Sequence, residues 1–125
     1  MKVVATEKAP KALGPYSQGY IHKGMLYSAG QIPINPATDV VEAETIAEQT
    51  EQVCKNLEAV LTEAGTGFDK VLKTTCFLSD MGNFAAFNEV YAKYFTGKPA
   101  RSCVAVKTLP KDVLVEVELI AVVEE

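Results

Sequence analysis

Apolar positions recur along this chain in two rhythms, one of period two and one near 3.6, and the alternation between them divides it into elements. Lys2 to Ala5 is a short run of β-branched residues and reads as a strand. Ser17 to Ile21 and Met25 to Ala29 alternate, and His22-Lys23-Gly24 joins them with glycine where a positive φ helps a hairpin. Gly30-Gln31-Ile32-Pro33 breaks the second strand, and Asn35 to Asp39 is a loop rich in turn residues. Thr45-x-x-Glu48 is a capping box. Beyond it Ile46, Thr50, Val53, Leu57, Val60, Leu61 and Ala64 recur at helical spacing, with Cys54 beside them and Gly65 as the stop. The spacing predicts an amphipathic helix lying on a sheet.

Val71 to Leu78 returns to the strand rhythm, with Val71 and Phe77 assigned to one face and Leu72, Cys76 and Leu78 to the other. Asp80 to Phe95 is predicted as a second helix whose buried stripe is Phe84, Phe87, Tyr91, Tyr94 and Phe95. Gly97 and Pro99 end it. A strand follows in which Arg101, Cys103 and Ala105 share one face while Ser102, Val104 and Val106 share the other. After the turn Leu109-Pro110-Lys111-Asp112, the last strand is expected over Val113 to Val123. There Val113, Val115, Val117, Leu119 and Ala121 face one way, and Leu114, Glu116, Glu118, Ile120 and Val122 the other.

Two helices cover one face of a sheet of about six strands. Several strands are apolar on both faces, so the second face is expected to bury itself against other copies of the chain.

The length of 125 residues suits one domain spanning 1–125. The formal charge is −4 and the twelve Lys and Arg are scattered, which speaks against a nucleic-acid surface. No apolar run approaches membrane-spanning length, and Met1 to Pro10 lacks the apolar core of a secretion signal. Cys54, Cys76 and Cys103 are odd in number and never paired as Cys-x-x-Cys, so they are expected as reduced thiols in the cytoplasm. His22 is the only histidine, which argues against a histidine triad and against a metal centre.

Chemistry is thus left to arginine, carboxylates, tyrosine, thiols and backbone amides. Arg101, at the mouth of its strand, reads either as a fork for a planar carboxylate or as a strand-end cap. Glu116 and Glu118 read either as edge-strand charges or as cleft residues, at least one of them tuned for proton transfer. Tyr16 is held by Gly14-Pro15, and on its own residues it reads as a half-buried packing ring. Asn88 lies one turn from both Phe84 and Tyr91, where its amide needs a partner. Gly30 lets backbone amides face outward, for an anion or for a bend.

Four separated stretches then fall into line. Gly14-Pro15-Tyr16-Ser17-Gln18-Gly19, Gly30-Gln31-Ile32-Pro33, Pro99-Ala100-Arg101-Ser102-Cys103-Val104 and Leu109-Pro110-Lys111-Asp112-Val113 through Glu116-Val117-Glu118 together resemble the RidA (YjgF) family of reactive-intermediate deaminases. The resemblance implies an α+β, chorismate-mutase-like fold: a mixed six-stranded sheet, two helices on one face, and a homotrimer around a central barrel with clefts between subunits. It implies cofactor-free hydrolysis of 2-imino or enamine acids, such as 2-iminopropanoate and 2-iminobutanoate, to 2-keto acids and ammonia. Arg101 would then grip the substrate carboxylate and Glu116 activate water. Tyr16, Asn88, Gly30 and Cys103 would line the pocket, the last as wall rather than nucleophile. Ala29 departs from members with a serine there, and Thr96-Gly97-Lys98 is shorter than in some relatives. The alternatives are an RNA-acting protein of the translation-inhibitor or endoribonuclease type and a carboxylate binder without turnover.

Overall fold

The computed structural model describes residues 1–123. Its main sheet takes β1 (Lys2–Val4), β2 (Gly19–His22), β3 (Met25–Ser28), β6 (Val71–Leu78), β7 (Ala100–Ala105) and β8 (Val115–Val122), in the order β1-β2-β3-β8-β6-β7. All neighbours are antiparallel except β6 and β7, which run parallel because α2 (Phe84–Tyr94) forms the crossover between them. The sheet is therefore mixed and six-stranded, with α1 (Ile46–Ala64) and α2 packed on one face.

The capping box forms as expected: Thr45 accepts from the Glu48 amide, and Glu48 reaches back to the Thr45 amide. Gly65 closes α1 in the left-handed region at φ 82°, which glycine enters without steric cost. The turn between β2 and β3 places Lys23 and Gly24 at φ 52° and 75°, the geometry that matches the twist of the two strands. Val53, Cys54, Leu57, Val60 and Leu61 of α1 interleave with Phe87 and Tyr91 of α2 over Leu26, Cys76, Leu78, Val115 and Val117 of the sheet. Cys54 is core filler, as its place in the helical stripe requires.

The structure corrects four expectations. A β-bulge at Leu72 puts two residues of β6 against one step of β8, so Val71 joins Thr74, Cys76 and Leu78 on the helix face while Leu72 is exposed. The last strand starts at Val115, because the 3₁₀ turn Pro110–Asp112 holds Lys111 and Asp112 at positive φ and delays pairing. A 3₁₀ turn, Met81–Asn83, precedes α2, and the Asp80 side chain caps it by accepting from the Gly82 amide. The 35–39 loop is the turn of a small hairpin, β4 (Ile34–Asn35) with β5 (Val40–Val41).

Among the described residues no helix or loop covers the face away from the helices. Val3, Tyr20, Tyr27, Ile120, Phe77 and Val104 lie on it by register, and Val3, Tyr20, Tyr27 and Val104 are exposed. No helix among the described residues is long and apolar enough to cross a membrane.

Candidate active site

Arg101 stands on β7, an edge strand, directly opposite Thr74 of β6. In a parallel pair, residues in register share a face, so Arg101 points to the helix side with Thr74 and Cys76. There α2 presents Phe84, Asn88 and Tyr91, spaced four and three residues apart and so on one stripe of the helix. The guanidinium carbon lies 4.8 Å from the Tyr91 ring centroid and 5.4 Å from that of Phe84. Arg101 Nη1 donates to Asn88 Oδ1 at 2.7 Å. This is the partner the Asn88 amide required. Beneath it, the Tyr91 and Thr74 hydroxyls share a hydrogen bond of 2.7 Å in the buried core.

Among the described residues no carboxylate lies within 4 Å of the Arg101 nitrogens, so the cation is held by rings and a neutral amide. It borders a concavity of about 350 Å³ together with Asn88, Tyr91, Thr96, Lys98 and Pro99. The 96–98 linker therefore forms its rim. The chain has one arginine beside eleven lysines, and that arginine is here. A rigid planar fork is what distinguishes arginine from lysine, and it has the geometry to take a carboxylate through two parallel hydrogen bonds.

Glu116 lies on β8 opposite Phe77, on the uncovered face. It is half-buried, and its carboxyl titrates above the ordinary carboxylate range, first because burial removes water and second because Glu118 stands two residues along the same face. Gly30 makes this burial possible. A Cβ built there would fall 2.1 Å from Glu116 Oε2 and 2.9 Å from Cδ, so the carboxylate lies directly on the glycine backbone. The segment is pinned by Gln31, whose amide donates to the Val117 carbonyl at 2.9 Å and whose carbonyl accepts from the Val117 amide at 3.2 Å. Buried Asn56 adds bonds to the Ile32 and Ile34 carbonyls at 3.1 and 3.0 Å. Tyr16, Ala29, Gly30, Ile32, Pro110 and Glu116 line a second concavity of about 340 Å³. Ala29 contributes no hydroxyl to it; Tyr16 is exposed rather than the half-buried packing ring its residues suggested, and its hydroxyl accepts from the Leu13 amide at 3.4 Å.

The site residues thus fall into two groups. Arg101 and Asn88 are together, with Cys103 on the same face of β7; Glu116, Gly30 and Tyr16 are together elsewhere. Within one chain the two groups lie on opposite faces of the sheet, so no cleft within a single chain unites them, and the expectation of clefts between subunits is the one this separation leaves open. The reason is register: β6 pairs Thr74 with Arg101 and Phe77 with Glu116, and those two β6 residues point opposite ways. Cys103 is partly buried and its thiol is pushed up, chiefly by burial, which keeps it protonated and suits a wall residue. Burial pushes the Cys76 thiol to about 12. Sequence reasoning missed Thr74, Tyr91 and Pro110 as members of the two groups. Tyr91 was visible only as one ring of the aromatic stripe, and its spacing from Asn88 was the available signal.

Residues 6–123 match the family model described as Endoribonuclease L-PSP. The chain belongs to the RidA (YjgF) family. It is 52% identical over 125 residues to a putative regulator, AldR, of Lactococcus lactis, covering 99% of both chains. It is 46% identical over 125 residues to the 2-iminobutanoate/2-iminopropanoate deaminase of Escherichia coli K12, covering 97% of both. A crystal structure of the E. coli protein TdcF with bound serine superposes with a TM-score of 0.94 at 39% identity, covering 99% of this chain and all of that one. Family members thus carry regulator, endoribonuclease and deaminase names, and the deaminase kinship covers nearly the whole chain.

Proposed function

We propose that this protein hydrolyses short 2-imino and enamine acids to 2-keto acids and ammonia, in clefts between copies of the chain assembled as a homotrimer. The observation that carries this reading is the unopposed Arg101 fork, turned toward a cleft and held there by Asn88 and two rings. Kinship with a named imine deaminase at 46% identity supports the reaction. The serine in a relative's structure supports an amino-acid-sized ligand bearing a carboxylate.

Arg101 of one copy binds the substrate carboxylate through its free nitrogens and so orients the imine carbon. The neighbouring copy supplies Glu116 from its uncovered face, with Tyr16 beside it. The substrate reacts as the protonated imine: Glu116 takes a proton as water adds to the C=N carbon, leaving a neutral carbinolamine. Glu116 returns that proton to the nitrogen as the C–N bond breaks, and the carbinolamine hydroxyl closes to C=O, its proton passing to the departing ammonia. One water and one protonated imine become one 2-keto acid and one ammonium ion. A carboxyl titrating above its usual range is a stronger base near neutrality than an exposed one. The uncatalysed hydrolysis already proceeds in water, so an acceleration of roughly 10²–10⁴-fold from positioned proton transfer is sufficient.

The test is a coupled assay in which a dehydratase converts serine or threonine to the imine and keto-acid formation is timed with and without this protein. Acceleration that disappears with Arg101→Ala supports the proposal. Binding of the keto acid without acceleration makes the protein a carboxylate binder and ends it.

A further inference from the structure

We infer that Tyr91, pinned from below by Thr74, is the positioning residue of the ligand-binding guanidinium: the two set the plane of Arg101 and leave one side of its fork free for the carboxylate. The inference rests on the proposed role of Arg101 and adds the device that makes that role work.

Among the described residues no carboxylate pairs with Arg101, and a long side chain on an edge strand is otherwise mobile. Three contacts replace one. Asn88 Oδ1 takes Nη1 at 2.7 Å, Phe84 borders the guanidinium at 5.4 Å, and Tyr91 lies closest at 4.8 Å. A ring can hold a cation in a fixed plane only if the ring itself is fixed. Tyr91 meets that condition: it is buried, stacked on Phe95 with centroids 4.2 Å apart, and tied by its hydroxyl to Thr74. Thr74 is fully buried and is the β6 residue in register with Arg101. One strand position therefore supports the arginine's own strand and also the ring beside its head group. Thr74 has no surface with which to touch a ligand, so its influence on binding passes through Tyr91. Because Asn88 is neutral, the clamp holds Arg101 without cancelling the charge that attracts the carboxylate.

Arg101 is the sole arginine, so ¹⁵N-arginine labelling gives a single guanidinium in the NMR spectrum. In the native protein, slow rotation about Nε–Cζ is expected to give two resolved Nη signals. Thr74→Val, nearly isosteric but without the hydroxyl, and Tyr91→Leu, without the ring, are each expected to average them. Thr74→Ser keeps the hydroxyl and is expected to restore two signals. In the imine assay Tyr91→Leu should raise KM about tenfold, between the scales of an exposed and a desolvated cation–π contact, with kcat within about twofold. Thr74→Val should raise KM in the same sense, and Thr74→Ser should not. Two resolved signals in Tyr91→Leu, or in Thr74→Val should Tyr91→Leu not fold, overturn the inference, as does a fall in kcat at unchanged KM. The NMR arm needs no turnover, so the clamp and the deaminase reading fail separately.

Discussion

If each site takes Arg101 from one copy and Glu116 from the next, two inactive variants must rescue each other. Arg101→Ala removes a charge-assisted, two-pronged contact worth about 1.5–3 kcal/mol per hydrogen bond, and thus about 10² or more in kcat/KM. Glu116→Gln removes the proton acceptor, worth about 10²–10⁴-fold. Homotrimers of either variant should therefore run at about 1% of native activity or less. In trimers formed from an equal mixture, a site is intact when its arginine comes from a Glu116→Gln copy and its glutamate from an Arg101→Ala copy. Each condition holds about half the time, so about a quarter of the sites, and about a quarter of native activity, should return. The separation of the two residues on opposite faces of one sheet makes this test sharp, because no single chain in the mixture carries both. The assay is the dehydratase-coupled rate after co-refolding, with subunit exchange verified by native mass spectrometry. Mixed trimers that exchange fully yet stay at the activity of the single variants would refute the shared site.

Other expectations follow from the same geometry. Gly30→Ala sets a Cβ onto the Glu116 carboxylate, so turnover should fall about 10²-fold or more with a far smaller change in melting temperature; a near-native rate would show that Glu116 is misplaced. Because Glu116 titrates above the ordinary carboxylate range and must be ionised to accept a proton, the rate should fall as pH drops through that raised value, and Glu118→Gln should move this acid limb to lower pH. The stability sign runs the other way: the native carboxyl holds its proton more tightly than the unfolded one, so its contribution is fullest below the unfolded pKa and is lost as pH rises through the native pKa. Glu116→Gln should accordingly melt higher than the native protein at neutral pH while losing activity, a split that calorimetry and the coupled assay read together. Leu57→Ala, in the fully buried layer between α1 and the sheet, should cost about 2–5 kcal/mol in denaturant unfolding without selective loss of turnover by the remaining folded protein.

Much of this was legible in the sequence because local rules and tertiary demands agree. The Thr45–Glu48 capping box and Gly65 bounded α1, and alternation in β8 separated the buried valines from Glu116 and Glu118. Strand alternation also placed Arg101 and Cys103 on one face. What it could not supply was the relation between strands. A register in β6 interrupted by a bulge at Leu72 decides which faces align, and no propensity marks that bulge. The opposite placement of Arg101 and Glu116 therefore became visible only with the pairing in hand. The small hairpin of β4 and β5 was missed for a related reason: two-residue strands have no period to detect, and Asp39 enters the left-handed region at φ 64° in a stretch that reads as loop. The strained pair Lys111 and Asp112, which delays β8, carries no sequence mark beyond the preceding proline.

The edges of the sheet give an independent reason to expect a second copy beside Arg101. An edge strand offers unpaired amides and carbonyls, and monomeric proteins guard such edges with charges, proline or a covering loop. At the β1 edge Lys2 supplies a charge. The β7 edge reads Ala100-Arg101-Ser102-Cys103-Val104-Ala105, and its one charge is turned to the helix side and committed to Asn88 and the rings. It is left with small and apolar side chains, Val104 among them exposed, and with one long edge of backbone unpaired by β6. Continuous with it runs the uncovered face of Tyr20, Tyr27, Phe77 and Ile120, which ends at Glu116. If this edge of one copy packs against that face of another, as the proposed shared site requires, both liabilities are buried at once and Arg101 is brought toward a Glu116 that its own chain holds out of reach. The surface that most needs a partner is thus the surface on which the proposed chemistry needs one, which is why the two halves of the site are assigned to different copies rather than to a rearrangement within one.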